Sequence, residues 1–185
     1  DVYKRQVHEG LIHFYETAAR RTSRLQELQW AVRLYVERGT DINRAITNVC
    51  RGLGHNTPRL LGFLAGPGAE GHSWPFPDAL NVIQILLDAL LDEDFQLPMD
   101  LTAYRGIAAH EGAPFRVASC GFVSVSLSIR EAKHYADKQC KEQGGWATFV
   151  QIPLVAGQPA LYVPAFVSSA ENEFELILPV ASFHF

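Results

Sequence analysis

Cysteine is scarce in this sequence, and what there is does not pair up. Cys50, Cys120 and Cys140 are odd in number and far apart, with no Cys-x-x-Cys pair and no His at zinc-ligand spacing. They read as buried thiols, which argues against a disulfide-stapled secreted domain, a zinc site and a catalytic cysteine. Basic clusters are also few: nothing exceeds Arg20, Arg21 and Arg24, and the net charge is −4. General binding to nucleic acid or to an anionic membrane is not expected, so partners are proteins or small molecules. The longest apolar run, Leu80 to Leu91, is interrupted by Asn81, Gln84 and Asp88 and is too short to span a bilayer. The beginning, Asp1-Val2-Tyr3-Lys4-Arg5-Gln6, has no initiating Met and no apolar signal core, and is read as a truncated end.

Familiar catalytic loops are missing as well. There is no Walker-type loop, no Gly-x-Gly-x-x-Gly dinucleotide fingerprint, no His-Glu-x-x-His and no Gly-x-Ser-x-Gly elbow. The first two exclude a P-loop NTPase and a Rossmann dehydrogenase. Gly62 and Gly66 have GxxxG spacing but sit in a short polar-flanked helix that ends at a turn. The seven His are scattered; His8, His13 and His134 fall in helical patterns, where a packed or solvent-facing ring is expected.

What is present is ample core material, 48% hydrophobic over 185 residues, enough for one domain. From about residue 7 to 94 the pattern is helical. Leu25, Leu28, Val32, Leu34 and Tyr35 recur at three- and four-residue steps, Gly39 is a plausible stop, and Asp41 a cap for a helix to Leu53. Asn56-Thr57-Pro58 starts another short helix to Leu64, and a Gly- and Pro-rich loop leads into Asp78 to Leu91. After Pro98 the pattern changes to short β-type runs, Leu101–Tyr104, Gly121–Ser126, Trp146–Pro153, Leu161–Val163 and Phe174–Leu178, with one helix at Ile129–Cys140. Strands follow helices instead of alternating with them, which predicts an α+β architecture: a helical lobe over residues 1–97 packed on a mostly antiparallel β-sandwich core over 98–185.

The last strand is acidic. Glu171, Glu173 and Glu175 stand at two-residue spacing, and strand alternation puts Glu173 and Glu175 on one face with Phe174, Leu176 and Leu178 on the other. Crowded carboxylates are either a solvated edge that resists aggregation or a working site. In Phe122-Val123-Ser124-Val125-Ser126 the two hydroxyls share a face, suited to a carboxylate or a sugar hydroxyl, though a half-exposed strand with its polar residues outward has the same pattern. In Tyr104-Arg105-Gly106 an Arg ends an apolar strand before a Gly; its donor fork suits phosphate or carboxylate, and the Gly allows close approach to the backbone.

An Arg, a paired-Ser strand and a paired-Glu strand, in that order and separated by roughly twenty and fifty residues, resemble the arginine–serine–glutamate group of mono-ADP-ribosyltransferases. The aromatic-Arg-Gly, Phe-x-Ser-x-Ser and Glu-x-Glu-Leu-Ile-Leu-Pro motifs carry the resemblance, and Tyr35 through Asn43 is similar to the Tyr…Gly…Ile-Asn stretch of that family's helical lobe. The likeness runs over roughly residues 30 to 180. Val125 departs from it, standing where the family has Thr, on the face turned away from the site.

The resemblance implies an enzyme that transfers ADP-ribose from NAD, its co-substrate, to a protein side chain, with no metal. Glu175 would hold the ribose 2′-hydroxyl and stabilise positive charge on the sugar as nicotinamide leaves, as carboxylates do in glycoside hydrolysis. Glu173 would orient and deprotonate the acceptor, and an acid there implies arginine. Ser124 would position Glu175 and the ribose, with Ser126 in support. Arg105 would pair with phosphate or ribose, and Gly106 would offer its backbone to the nicotinamide amide. Residues 138–145 would form a mobile segment beside the cofactor, and 164–171, with Phe166 and Glu171, the loop that touches the target protein, although an aromatic such as Phe166 more often packs beneath its loop. A monomer acting without membrane or nucleic acid is expected, in the manner of a secreted or injected bacterial effector inside a target cell. The alternatives are an NAD glycohydrolase with water as acceptor, or ADP-ribosylation of a residue other than arginine.

Overall fold

The computed structural model describes residues 2–53, 57–64, 66–109, 116–118, 121–168, 174–179 and 182–184. Cys120, Glu171 and Glu173 lie outside the described residues.

Helices α1 (Val2–Arg21), α2 (Leu25–Leu53), α3 (Thr57–Leu64) and α4 (Ala79–Leu91) form the first half. In α2 the buried residues, Leu28, Ala31, Val32 and Tyr35, then Ile42, Ile46, Val49 and Cys50, recur at helical spacing. The expected stop at Gly39 is a kink instead: Arg38 leaves helical geometry (φ −127°, ψ 16°) and the helix resumes. Asp41 does not cap a new helix; its carboxylate accepts from Arg38 Nε at 2.9 Å. The apolar stripes on both sides of the kink face the same core, so tertiary packing carries the helix past the local signal. In α4, Val82, Ile83 and Leu86 are wholly inaccessible and Leu90 nearly so.

The second half holds β1 (Leu101–Ala109), β2 (Arg116–Ala118), β3 (Val123–Ser126), α5 (Ile129–Gln143), β4 (Trp146–Leu154), β5 (Leu161–Tyr162), β6 (Glu175–Leu178) and β7 (Ser182–His184). Five strands make one antiparallel sheet in the order β4-β1-β3-β6-β5, and β2 pairs with β7 separately. The α+β architecture expected from the order of helices and strands is the one observed. Two boundaries differ in ways that matter. β1 runs to Ala109, so Arg105 lies mid-strand and not at its end. β6 begins at Glu175 because Phe174 takes a left-handed backbone (φ 49°), so Phe174 is not part of the alternation.

One continuous hydrophobic cluster joins Leu11, Tyr15, Val32, Ile46 and Leu86 from the helices to Ala103, Val123, Val125, Tyr162 and Leu176 from the sheet. Tyr15 is completely buried and its hydroxyl donates to the Ala160 carbonyl at 2.9 Å, tying α1 to the approach of β5. Arg21 pairs with Asp94 and Arg24 with Glu27, so the small basic cluster is matched by carboxylates. No helix is long and apolar enough to cross a membrane, among the described residues.

Candidate active site

The three sequence motifs fall on neighbouring strands. Tyr104 of β1 stands opposite Ser126 of β3, and Ser126 stands opposite Glu175 of β6. These residues form one row across the middle of the sheet. The β3–β6 ladder continues through Val125↔Leu176, Ser124↔Ile177 and Val123↔Leu178, whereas β1 and β3 share the single register pair Tyr104↔Ser126. Beyond it a side chain does the work of the ladder: Arg105 Nη1 donates to the Ser124 carbonyl at 2.9 Å. Arg105 thus holds β3 across the line where main-chain pairing lapses.

Arg105 is poorly solvated, and burial pulls its guanidinium below the usual arginine range, while Tyr135, Tyr35 and Glu175 are near enough to act in the opposite direction. Among the described residues its Nε–H is a buried donor without a hydrogen-bond partner, and Asn43 Oδ1 is a buried acceptor in the same condition. Leaving such groups unmatched costs about 1–3 kcal/mol each. A ligand carrying oxygen acceptors would satisfy the guanidinium, so the residues present fit a sugar–phosphate group.

The helical half supplies a further layer. The Tyr35 hydroxyl lies 3.1 Å from Ser124 Oγ and receives a bond from Asn43 Nδ2 at 3.4 Å. Its ring meets Phe122 edge-on at 5.7 Å. Burial raises the Tyr35 phenol above its ordinary value, its bonds to Ser124 and Asn43 lower it, and the Glu175 charge adds to the rise. Tyr35 and Asn43 bound the sequence stretch that resembles the family's helical lobe, and here Tyr35 reaches Ser124 while Asn43 bonds to Tyr35. Ser124 Oγ is therefore engaged by Tyr35, and it is Ser126, given only a supporting part above, that stands directly opposite Glu175. Ser126 Oγ also accepts the Ser128 N–H at 3.0 Å, and Ser128 Oγ caps α5 by accepting the Glu131 N–H at 3.4 Å.

Two glycines have steric reasons. A Cβ on Gly106 would sit 1.9 Å from the Ala132 carbonyl oxygen of α5, and one on Gly121 would sit 2.3 Å from Asn43 Oδ1. The Gly of the Arg-Gly motif therefore lets α5 lie against β1, where Gln139 Oε1 accepts the Ala108 N–H at 3.3 Å. Residues 138–143, expected in a mobile segment, are the last turns of α5, and the turn into β4 is made by Gly144 and Gly145, both at positive φ.

Phe166, a candidate target contact or a ring packed beneath its loop, faces inward. It is 4% exposed and its ring lies 6.4 Å from that of Tyr15. The apolar ring is better placed in the core that Tyr15 and α1 offer than in water. Glu171 and Glu173, the other residues expected at the acceptor side, lie outside the described residues. Cys50 is buried as expected, but Cys140 is only half-buried on α5. A cavity of about 540 Å³ is lined by His8, Tyr104, Ser128, Pro153 and Phe174, the residue before Glu175, among others. No group of three or more His, Cys, Asp or Glu able to hold a metal occurs among the described residues.

The helix-capped antiparallel sheet in the order β4-β1-β3-β6-β5 is similar in fold to solved ADP-ribosyltransferases, toxins among them. The chain is similar to Plx2a, an ADP-ribosyltransferase toxin from Paenibacillus larvae, with a TM-score of 0.60 at 15% identity over 96% of this chain and 83% of that one. It is also similar to an ADP-ribosyltransferase from Clostridium botulinum, with a TM-score of 0.50 at 15% identity over 90% of this chain and 84% of that one. At that identity the likeness is one of fold. No protein-family model and no curated protein matches the sequence.

Proposed function

We propose that the protein cleaves NAD and transfers ADP-ribose to a protein side chain, with arginine as acceptor and nicotinamide released. The observation that carries this reading is the convergence of Arg105, Ser124, Ser126 and Glu175 on β1, β3 and β6, where the sheet's own pairing lapses and a buried Arg105 donor lacks an acceptor. In this reading Arg105 binds the pyrophosphate or adjoining ribose, and Gly106 offers its backbone to the nicotinamide amide. Ser124 and Ser126 orient the Glu175 carboxylate, which holds the ribose and offsets the positive charge that builds as the glycosidic bond breaks. Glu173 orients and deprotonates the acceptor. The helical lobe and the β-rich core act together as one catalytic domain and as a monomer. The toxin character of Plx2a supports a secreted or injected effector working on a protein inside a target cell.

The test is incubation of the protein with a tagged NAD analogue and cell lysate, followed by mass spectrometry of the modified residue. Wild-type protein is expected to release nicotinamide and label arginine. Glu175→Gln should lose both transfer and NAD hydrolysis, while Glu173→Gln should lose transfer and keep hydrolysis. Full activity in Glu175→Gln would sink the assignment. Label on Ser, Thr or Cys would overturn the acceptor, and nicotinamide release without labelled protein would mark water as the acceptor.

A further inference from the structure

We infer that His8, on the first helix, is a positioning residue for Glu175 and acts through Phe174. The inference rests on the proposed role of Glu175, but its structural half stands on contacts alone.

Glu175 is the first residue of β6, and the residue before it, Phe174, has φ 49°. A side chain with a Cβ avoids this left-handed region unless its surroundings hold it there. Two ties do so. On the β3 side, the Leu127 N–H donates to the Phe174 carbonyl at 3.0 Å, directly beside the Ser126↔Glu175 pair. On the other side, the His8 ring meets the Phe174 ring edge-on, with centroids 5.0 Å apart and planes at 63°.

His8 is itself anchored. Its Nδ1 lies 2.5 Å from the Tyr162 hydroxyl, and Tyr162 stands opposite Leu176 in the β5–β6 ladder. Burial raises the Tyr162 phenol well above its ordinary range, so the hydroxyl keeps its proton and the contact with His8 Nδ1 is a hydrogen bond between ring nitrogen and phenol. His8 therefore connects the strand next to β6 with the turn that starts β6, and Glu175 lies between the two points.

Dense packing does not make this tie redundant. Phe174 borders the cavity of about 540 Å³ that His8 also lines. With the His8 ring gone, Phe174 has room to relax toward an extended backbone, which redirects the chain at the residue that must face the sugar. Helical periodicity alone gives a histidine in such a place no function beyond packing. Its part becomes visible only when α1 is laid against the start of β6.

The experiment compares wild type with His8→Ala and His8→Phe; the latter keeps an aromatic edge against Phe174 and removes the Tyr162 bond. Amide exchange at Leu127, read by NMR, reports the Phe174 turn without any need for activity. Exchange there should quicken by about tenfold or more in His8→Ala, and by less in His8→Phe. In NAD hydrolysis, kcat should fall by about 10- to 100-fold in His8→Ala with KM for NAD within about threefold, because mis-aiming the carboxylate removes an interaction made chiefly in the transition state. Unchanged Leu127 exchange in a folded His8→Ala protein would overturn the inference, as would a rise in KM with kcat intact. If wild type cleaves no NAD, the proposed function fails, and the Leu127 measurement still decides whether His8 holds the turn. If His8→Ala does not fold, His8→Phe carries the same two readouts.

Discussion

Gly106 offers the sharpest test of how the site is assembled. A methyl group there would lie 1.9 Å from the Ala132 carbonyl oxygen and 2.8 Å from the Ala136 nitrogen, both main-chain atoms of α5. No rotamer change relieves an overlap with backbone, so α5 must withdraw by about 1.5 Å to restore ordinary contact. Withdrawal loosens the bond from the Ala108 N–H to Gln139 Oε1 and the packing of Ala132 and Ala136, which are 4% and 1% exposed. Overpacking of this kind costs about 3 kcal/mol. For a chain of this size that is about 6–12 °C in Tm. Gly10 is the control: it is an exposed residue inside α1 with nothing within 4 Å of an added Cβ. Gly10→Ala should stabilise the protein by about 0.5–1 kcal/mol, because alanine restricts the unfolded chain and suits a helix. Thermal unfolding followed by circular dichroism gives both numbers. A Gly106→Ala protein melting within about 2 °C of wild type would refute the close packing of α5 on β1.

Other consequences follow from contacts around the site. Tyr35→Phe removes the hydroxyl shared by Ser124 and Asn43 and should lower stability by about 1–2 kcal/mol, seen as a lower urea midpoint with unchanged slope. Tyr15 and Tyr35 both have phenols raised by burial above the ordinary value of 10.0. The unfolded chain therefore releases these protons first: the stability they contribute is whole below about pH 10 and is lost as pH rises beyond it, and Tyr15→Phe should flatten that alkaline fall in urea titrations. Arg105→Lys keeps the charge but loses the fork that holds the Ser124 carbonyl, and calorimetry should show NAD binding weakened by about tenfold or more.

The sequence was most legible where a residue's job is local. Helical spacing found α2 and α4, the change of pattern after Pro98 separated helices from strands, and alternation in Val123 to Ser126 matched the buried and half-buried positions observed. It was least legible where distant elements decide. Gly39 and Asp41 carry genuine end signals for a helix, yet the apolar stripe beyond them belongs to the same core and pulls α2 through a kink. Phe166 sits in a segment with loop character, where packing beneath the loop is the commoner expectation, but nothing local signals that its partner is Tyr15, arriving from α1. The left-handed turn at Phe174 has no local cue, since neither Gly nor Asn occupies it; its contacts are with Leu127 and with the ring of His8, both remote from the turn in sequence. The short β2–β7 pair joins residues 116–118 to 182–184, too brief a pattern at either end to announce itself. Ser126 and Ser124 are equivalent by alternation, and only the register of β6 and the reach of Tyr35 tell them apart.

The two glycines explain why the candidate site needs both halves of the chain. At Gly106 the absence of a side chain brings α5 onto β1; at Gly121 it brings Asn43, and with it α2, onto the entry to β3. One helix from each half thus bears on the strand pair that carries Arg105 and Ser124. Between those two strands main-chain pairing is limited to the one register pair Tyr104↔Ser126, which would ordinarily leave polar groups unmatched. Here the Ser124 carbonyl is taken by Arg105 and the Ser124 hydroxyl by Tyr35, so side chains tie β3 to β1 and to α2. Side chains, unlike ladder bonds, leave donors over: the Arg105 Nε–H remains buried and unmatched. The motif glycines are therefore packing residues first, and the unmatched donor follows from the packing they permit.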